Sequence, residues 1–155
     1  MKVKDIMEPI RKWLTPEMSL SETIQIMKST TRGHGLPVNG IVVLNGGMNL
    51  VGIVSTKDIL RLLIPAHMYF EEDHNSISWE SIRQEKTVAA RSTRVSQIMT
   101  EDVRVISAEA TLLHCADILL TDQIRRLPVT RSDGQVVGIV YLRDVYNALT
   151  ELLTH

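Results

Sequence analysis

The nine residues GIVSTKDIL, Gly52 to Leu60, return 86 positions later as GIVYLRDVY, Gly138 to Tyr146, with the glycine, the Ile-Val pair and an aspartate six places after the glycine in register. A chain that spells one strand-to-helix junction twice is constrained to fold as two units of one design. Upstream the self-similarity continues at a spacing of 92: Val3, Ile6 and Met7 match Val95, Ile98 and Met99, and Thr15, Glu17, Leu20 and Met27 fall on Ser107, Glu109, Leu112 and Leu119. The drop from 92 to 86 places six additional residues of the first copy between Arg32 and Ile41. Two copies imply a paired module rather than a solenoid.

Periodicity gives the order of elements within a copy. Ser19 with Glu22 has the spacing of a capping box, and Leu20, Ile24 and Met27 then recur at helical intervals, as Leu112, Ala116 and Leu119 do in the second copy. Two short apolar runs follow around a turn, IVVL and LVGIV about NGGMN, then LPVT and VVGIV about RSDGQ, and each set predicts a hairpin. A second helix starts near Thr56 and stops before Pro65. Its counterpart starts near Leu142 with Val145, Leu149 and Leu152 on one face. Each unit thus reads as short strand, helix, strand, strand, helix. A three-stranded sheet covered on one side leaves its other side apolar, so the two units are expected to pack sheet to sheet.

Charge and composition exclude several classes of function. Lys+Arg 17 against Asp+Glu 18 gives a net charge of -1, which offers no basic footprint to a nucleic acid. The N-terminal MKVKDIMEPIRKW lacks the apolar core of a secretory signal, and no apolar run approaches the roughly 18 residues of a spanning helix. The expectation is a cytoplasmic protein without membrane contact. Cys115, the single cysteine, sits on the apolar face of a helix and reads as an unreactive buried thiol. His34, His67, His74, His114 and His155 are scattered without metal-ligand spacing, and no phosphate-binding loop or nucleophile elbow is present. Neither a metal site nor catalysis is expected.

The doubled Met motif, helix, hairpin and Gly-Ile-Val-x-x-x-Asp pattern resembles the cystathionine-β-synthase (CBS) domain, and the tandem arrangement resembles a CBS pair, or Bateman module. The resemblance assigns residues 1–64 to the first repeat, 65–94 to a connector and 95–155 to the second repeat. It implies an α/β fold of two CBS-type repeats with pseudo-twofold symmetry, and two clefts for adenosine nucleotides or related ligands such as AMP, ADP, ATP or S-adenosylmethionine. It also implies a homodimer of modules. By the same resemblance the nucleotide is expected to be a regulatory ligand, with no cofactor required.

Within those clefts an aspartate in the first turn of a helix can accept hydrogen bonds from two vicinal ribose hydroxyls, with a neighbouring serine adding a third contact. Asp58 with Ser55 forms the stronger candidate set, and Asp144 with Tyr141 its counterpart. Ser55-x-x-Asp58 is equally a capping box that requires no ligand. Thr15 and Ser107 match the adenine side of the family's cleft, or else are turn residues. Arg125 and Arg126 match its phosphate side, Lys57 and Arg143 could assist, and the first repeat offers His34 instead of an arginine pair. The alternative for these cations is a solvated helix end. Ser55 leaves room for a ribose beside Asp58, whereas the Tyr141 ring fills the equivalent place or stacks on a base, so the tighter site is expected at Asp58.

The connector carries Met68, Tyr69, Phe70, Ile77, Trp79 and Ile82, enough apolar surface to dock as a strap or to act as a lid, and SISWESIRQEK predicts a short helix after Ser76 or Ser78. Since little of the chain lies outside the two repeats, a sensed ligand is expected to be reported through association with a separate effector protein or through a higher assembly. A scaffold with degenerate, unoccupied clefts is the principal alternative, and a small nucleotide-acting enzyme a distant third.

Overall fold

The computed structural model describes residues 1–64 and 79–154. Its strands are β1 (Glu8–Pro9), β2 (Thr31–Arg32), β3 (Leu36–Pro37), β4 (Gly40–Leu44), β5 (Leu50–Ser55), β6 (Ile106–Ser107), β7 (Arg126–Thr130) and β8 (Val136–Tyr141). The helices are α1 (Leu20–Ser29), α2 (Thr56–Leu63), α3 (Trp79–Ser92), α4 (Val95–Ile98), α5 (Leu112–Thr121) and α6 (Leu142–Thr154). The helices of the two repeats begin where hydroxyl caps allow: Ser19 Oγ accepts from Glu22 N at 3.1 Å, and Thr111 Oγ1 accepts from His114 N at 3.2 Å.

The chain forms two compact units that cross the boundary between the sequence repeats. One comprises Met1–Arg11, Gly47–Leu50 and Val103–His155, and the other Lys12–Gly46 and Val51–Asp102. We call them the Asp144 unit and the Asp58 unit. The leading segment of each sequence repeat therefore packs in the unit that contains the hairpin and second helix of the other repeat.

In the Asp144 unit a four-stranded sheet runs β1-β8-β7-β6, with β6 parallel to β7 and the other pairs antiparallel. The sequence predicts three strands, and the fourth is the N-terminal β1. Val3 N donates to Ala110 O at 2.9 Å and Lys4 N to Ala108 O at 3.0 Å, while the fully buried Val3 joins Leu112, Cys115, Leu119, Leu127, Val140 and Val145 in the core. Lys2 and Lys4 both reach Glu109, at 2.7 and 2.9 Å, and their ammonium groups pull its carboxyl down to about 2.

The Asp58 unit repeats these bonds one for one. Val95 N donates to Met18 O at 2.9 Å and Ser96 N to Pro16 O at 3.0 Å, each pair displaced by 92 from its counterpart. Strands β4 and β5 form the hairpin, Leu14 bridges in parallel to Val43, and Thr100 bridges antiparallel to Ile53 as Glu8 pairs with Ile139. The fully buried Val95 packs with Leu14, Leu20, Ile41, Val43 and Val54. The six additional residues lie in the small β2–β3 hairpin, with His34 and Gly35 at its tip both at positive φ, 64° and 69°.

Some expectations require correction. The helix predicted around Trp79 is longer than expected, Trp79–Ser92, and its Trp79 is exposed; Met68, Tyr69, Phe70, Ser76, Ile77 and Ser78 lie outside the described residues. In α6, Val145 is buried but Leu152 is 65% exposed, because the helix runs on past the core it covers.

The recurrence of a methionine and a strand glycine in both copies has a steric cause. A Cβ on Gly52 would lie 2.7 Å from Met99 Sδ and 3.0 Å from Thr100 O, and one on Gly138 would lie 2.7 Å from Glu8 O and 2.8 Å from Met7 Sδ. Each glycine clears the strand face for the leading segment. At Gly138 the closest atom is backbone, which yields less readily than a thioether. Gly138→Ala is therefore expected to cost roughly 1 to 3 kcal/mol and Gly52→Ala less. Urea denaturation of the two variants checks this, and equal losses would contradict the steric account.

Candidate functional site

Each unit has a corner where the last strand of its hairpin turns into its second helix. In the Asp58 unit, β5 ends at Ser55 and α2 begins at Thr56, whose N donates to Asn39 O at 3.0 Å. The capping box is formed in full. Ser55 N donates to Asp58 Oδ2 at 2.8 Å, Ser55 Oγ donates to the same oxygen at 3.0 Å, and Asp58 N donates to Ser55 Oγ at 3.3 Å.

Asp58 Oδ1 is held more loosely. Thr100 Oγ1 approaches it at 3.4 Å and Arg61 Nη1 at 3.7 Å, while the Asp58 side chain is only 9% exposed. Both contacts exceed the usual length of a strong charged hydrogen bond. The two readings of Ser55-x-x-Asp58 are thus chemically compatible: Oδ2 caps the helix, and Oδ1 retains acceptor capacity for a hydroxyl donor. Ser55 is different, because its own proton is committed to Asp58, leaving the serine oxygen as at most an acceptor.

In the Asp144 unit, β8 ends at Tyr141 and α6 begins at Leu142, whose N donates to Arg125 O at 2.8 Å, the same bond that joins Thr56 to Asn39. Arg126 pairs directly with Tyr141 across the hairpin, and Asp144 stands in the first turn of α6. Arg126, Tyr141 and Asp144 all have interactions of their own. The two arginines mark the start of β7 rather than a helix end, since α5 finishes at Thr121.

The other expected site residues fall at several places in the two units. Ser107 pairs with Thr130, at the other end of β7 from Arg126, and its Oγ accepts from Glu109 N at 3.1 Å while its C=O accepts from Ala110 N, so it serves a turn. Thr15 likewise follows the Leu14–Val43 bridge, and its carbonyl accepts from Met18 N at 3.2 Å. Lys57 and Arg143 occupy equivalent, exposed positions in the first turns of α2 and α6. His34 sits at the tip of the β2–β3 hairpin, and the residue whose backbone matches Arg125 is Asn39. The first repeat therefore presents Asn39-Gly40 where the second presents Arg125-Arg126.

Sequence reasoning missed Thr100 and Glu8. Both follow the repeated Met, at the 92-residue spacing, and both pair with the residue two before the corner, Ile53 or Ile139. That spacing was visible in the sequence; which unit received each segment was not.

Burial pushes the Cys115 thiol up to about 11, which leaves it protonated and unreactive at neutral pH. Among the described residues no group of three or more His, Cys, Asp or Glu side chains could hold a metal ion, and no helix is long and apolar enough to cross a membrane. His67, His74 and His155 lie outside the described residues.

The CBS domain model matches residues 3–65 and again residues 95–151. The uncharacterised protein MJ1426 of Methanocaldococcus jannaschii is 28% identical, over 96% of this chain and 91% of its own length. The chloroplastic CBS domain-containing protein CBSX1 of Arabidopsis thaliana is 29% identical over 87% of this chain, which spans 63% of the plant protein. Among solved structures, that of CBSX2 in complex with AMP superposes with a TM-score of 0.68, at 26% identity and 97% coverage of both chains.

Proposed function

This chain belongs to the CBS domain family, of which it carries two copies in tandem, and on that premise we propose that it is a regulatory module that binds an adenosine nucleotide, with AMP the leading candidate. The support is the AMP complex of its 26%-identical structural neighbour together with the Asp58 corner, where a nearly buried carboxylate keeps one oxygen available beside the Thr100 hydroxyl. Ribose hydroxyls donate to Asp58 Oδ1. Thr15 and Ser107 on the adenine side, and Lys57, Arg143, Arg125, Arg126 and His34 towards phosphate, belong to the same reading as candidates.

The module acts by association rather than by chemistry of its own. Leu113 and Leu120 on α5 and Tyr146, Leu152 and Leu153 on α6 are largely exposed, with Leu153 at 84%, and an apolar helical surface of this kind suits a partner. We take that partner to be a second copy, with a separate effector reading the ligand state of the dimer.

The ribose contact is tested by isothermal titration with AMP, following a thermal-shift screen of AMP, ADP, ATP and S-adenosylmethionine. Asp58→Ala leaves the ribose hydroxyls unpaired, which is worth roughly 1 to 3 kcal/mol, or about five- to more than a hundredfold in affinity. Asp144→Ala is expected to change the affinity little. If Asp144→Ala abolished binding while Asp58→Ala left it intact, the assignment of the working corner would fail; light scattering that returned the 17.5 kDa chain mass at tens of micromolar would remove the dimer.

A further inference from the structure

We propose that Glu8 bars anionic nucleotides from the Asp144 corner, so that each chain takes one nucleotide, at Asp58. The inference rests on the nucleotide reading above and goes on to name the residue that makes the two corners unequal.

The equivalence is fixed by register. In the Asp58 unit, Thr100 bridges to Ile53, two residues before the corner at Ser55, and its hydroxyl approaches Asp58 Oδ1 at 3.4 Å. In the Asp144 unit, Glu8 pairs with Ile139, two residues before the corner at Tyr141. Ile53 and Ile139 correspond at the 86-residue spacing, and Thr100 and Glu8 at the 92-residue spacing. A carboxylate thus stands where the other unit has a hydroxyl.

The pleat carries the argument further. Residues paired across antiparallel strands project to the same side, and positions two apart on a strand share that side. Glu8 opposite Ile139, and Arg126 opposite Tyr141, therefore lie on one face of the sheet at successive rungs of β8. With Asp144 in the first turn of α6, the corner holds two carboxylates, and Glu8 offsets the positive field that Arg125 and Arg126 would otherwise present to a phosphate. Like charges brought together on binding weigh against the ligand. At the Asp58 corner the carboxylate is flanked by the Thr100 hydroxyl and the Arg61 guanidinium. A carboxylate accepts hydrogen bonds, whereas a threonine hydroxyl either donates or accepts.

Isothermal titration of the full chain with AMP tests the assignment. The wild type is expected to take one AMP per chain. Glu8→Gln, which keeps the size and removes the charge, and Glu8→Thr, which copies the other corner, are each expected to take two, the second site tightening by roughly tenfold or more. Tyr141→Ser alone is expected to stay at one. The proposal is overturned if the wild type takes two, if both Glu8 variants remain at one while unfolding at the wild-type temperature, or if Tyr141→Ser alone opens the second site. A wild type that takes none while Glu8→Gln takes one would overturn the Asp58 assignment and keep Glu8 as the barrier. No binding by any variant would overturn both readings.

Discussion

The close approach of a methionine-bearing leading segment to a strand glycine governs the rest of this structure. Met7 and Glu8 lie against Gly138, and Met99 and Thr100 against Gly52, at distances that leave no room for a side chain on the strand. That contact lets each leading segment add backbone hydrogen bonds at the edge of a hairpin and bury a valine, Val3 or Val95, in the core beneath. Burial of one such side chain is worth roughly 1.5 to 3 kcal/mol, a large part of the stability of a small unit. Because each segment belongs by sequence to the opposite repeat, neither repeat contains every part of a finished unit.

The same docking decides the chemistry of the corners. The residue after each methionine is delivered to a position beside the strand-to-helix turn, so a corner's properties depend on two stretches of chain far apart in sequence. At Asp58 the delivered residue is a hydroxyl, and at the equivalent place by Asp144 it is a carboxylate. One backbone design thereby yields two corners of different charge. Under the proposed reading, one unit responds to the ligand while the other remains structural.

The repeat, the hairpins, the boundaries of α2 and the capping box at Ser55 were legible because each depends on local spacing and propensity. The pairing of Glu8 with β8 and of Thr100 with β5 was not, since a two-residue strand has no periodicity and nothing local specifies which hairpin receives it. The Gly and Met motifs were each visible, but their contact is long-range. His34 is a natural candidate in a glycine-rich loop, yet the residue whose backbone meets Thr56 is Asn39, and His34 lies at the tip of the inserted β2–β3 hairpin. The spacing of Ser55 and Asp58 suits either a cap or a ribose site, and the geometry shows the cap formed on one carboxylate oxygen with the second held loosely.

The central claim is that the ligand-binding corner is assembled from Ser55 to Asp58 and from Thr100, 42 residues further along the chain. Titration of the isotopically labelled protein with AMP, followed through its backbone amide resonances, tests this most directly. The account predicts that the amides of residues 55 to 58 and of Thr100 shift together and saturate at one concentration, while those around Glu8 and Asp144 stay in place. Shifts confined to the Glu8 and Asp144 corner, or a Thr100 resonance indifferent to a ligand that moves Asp58, would contradict it.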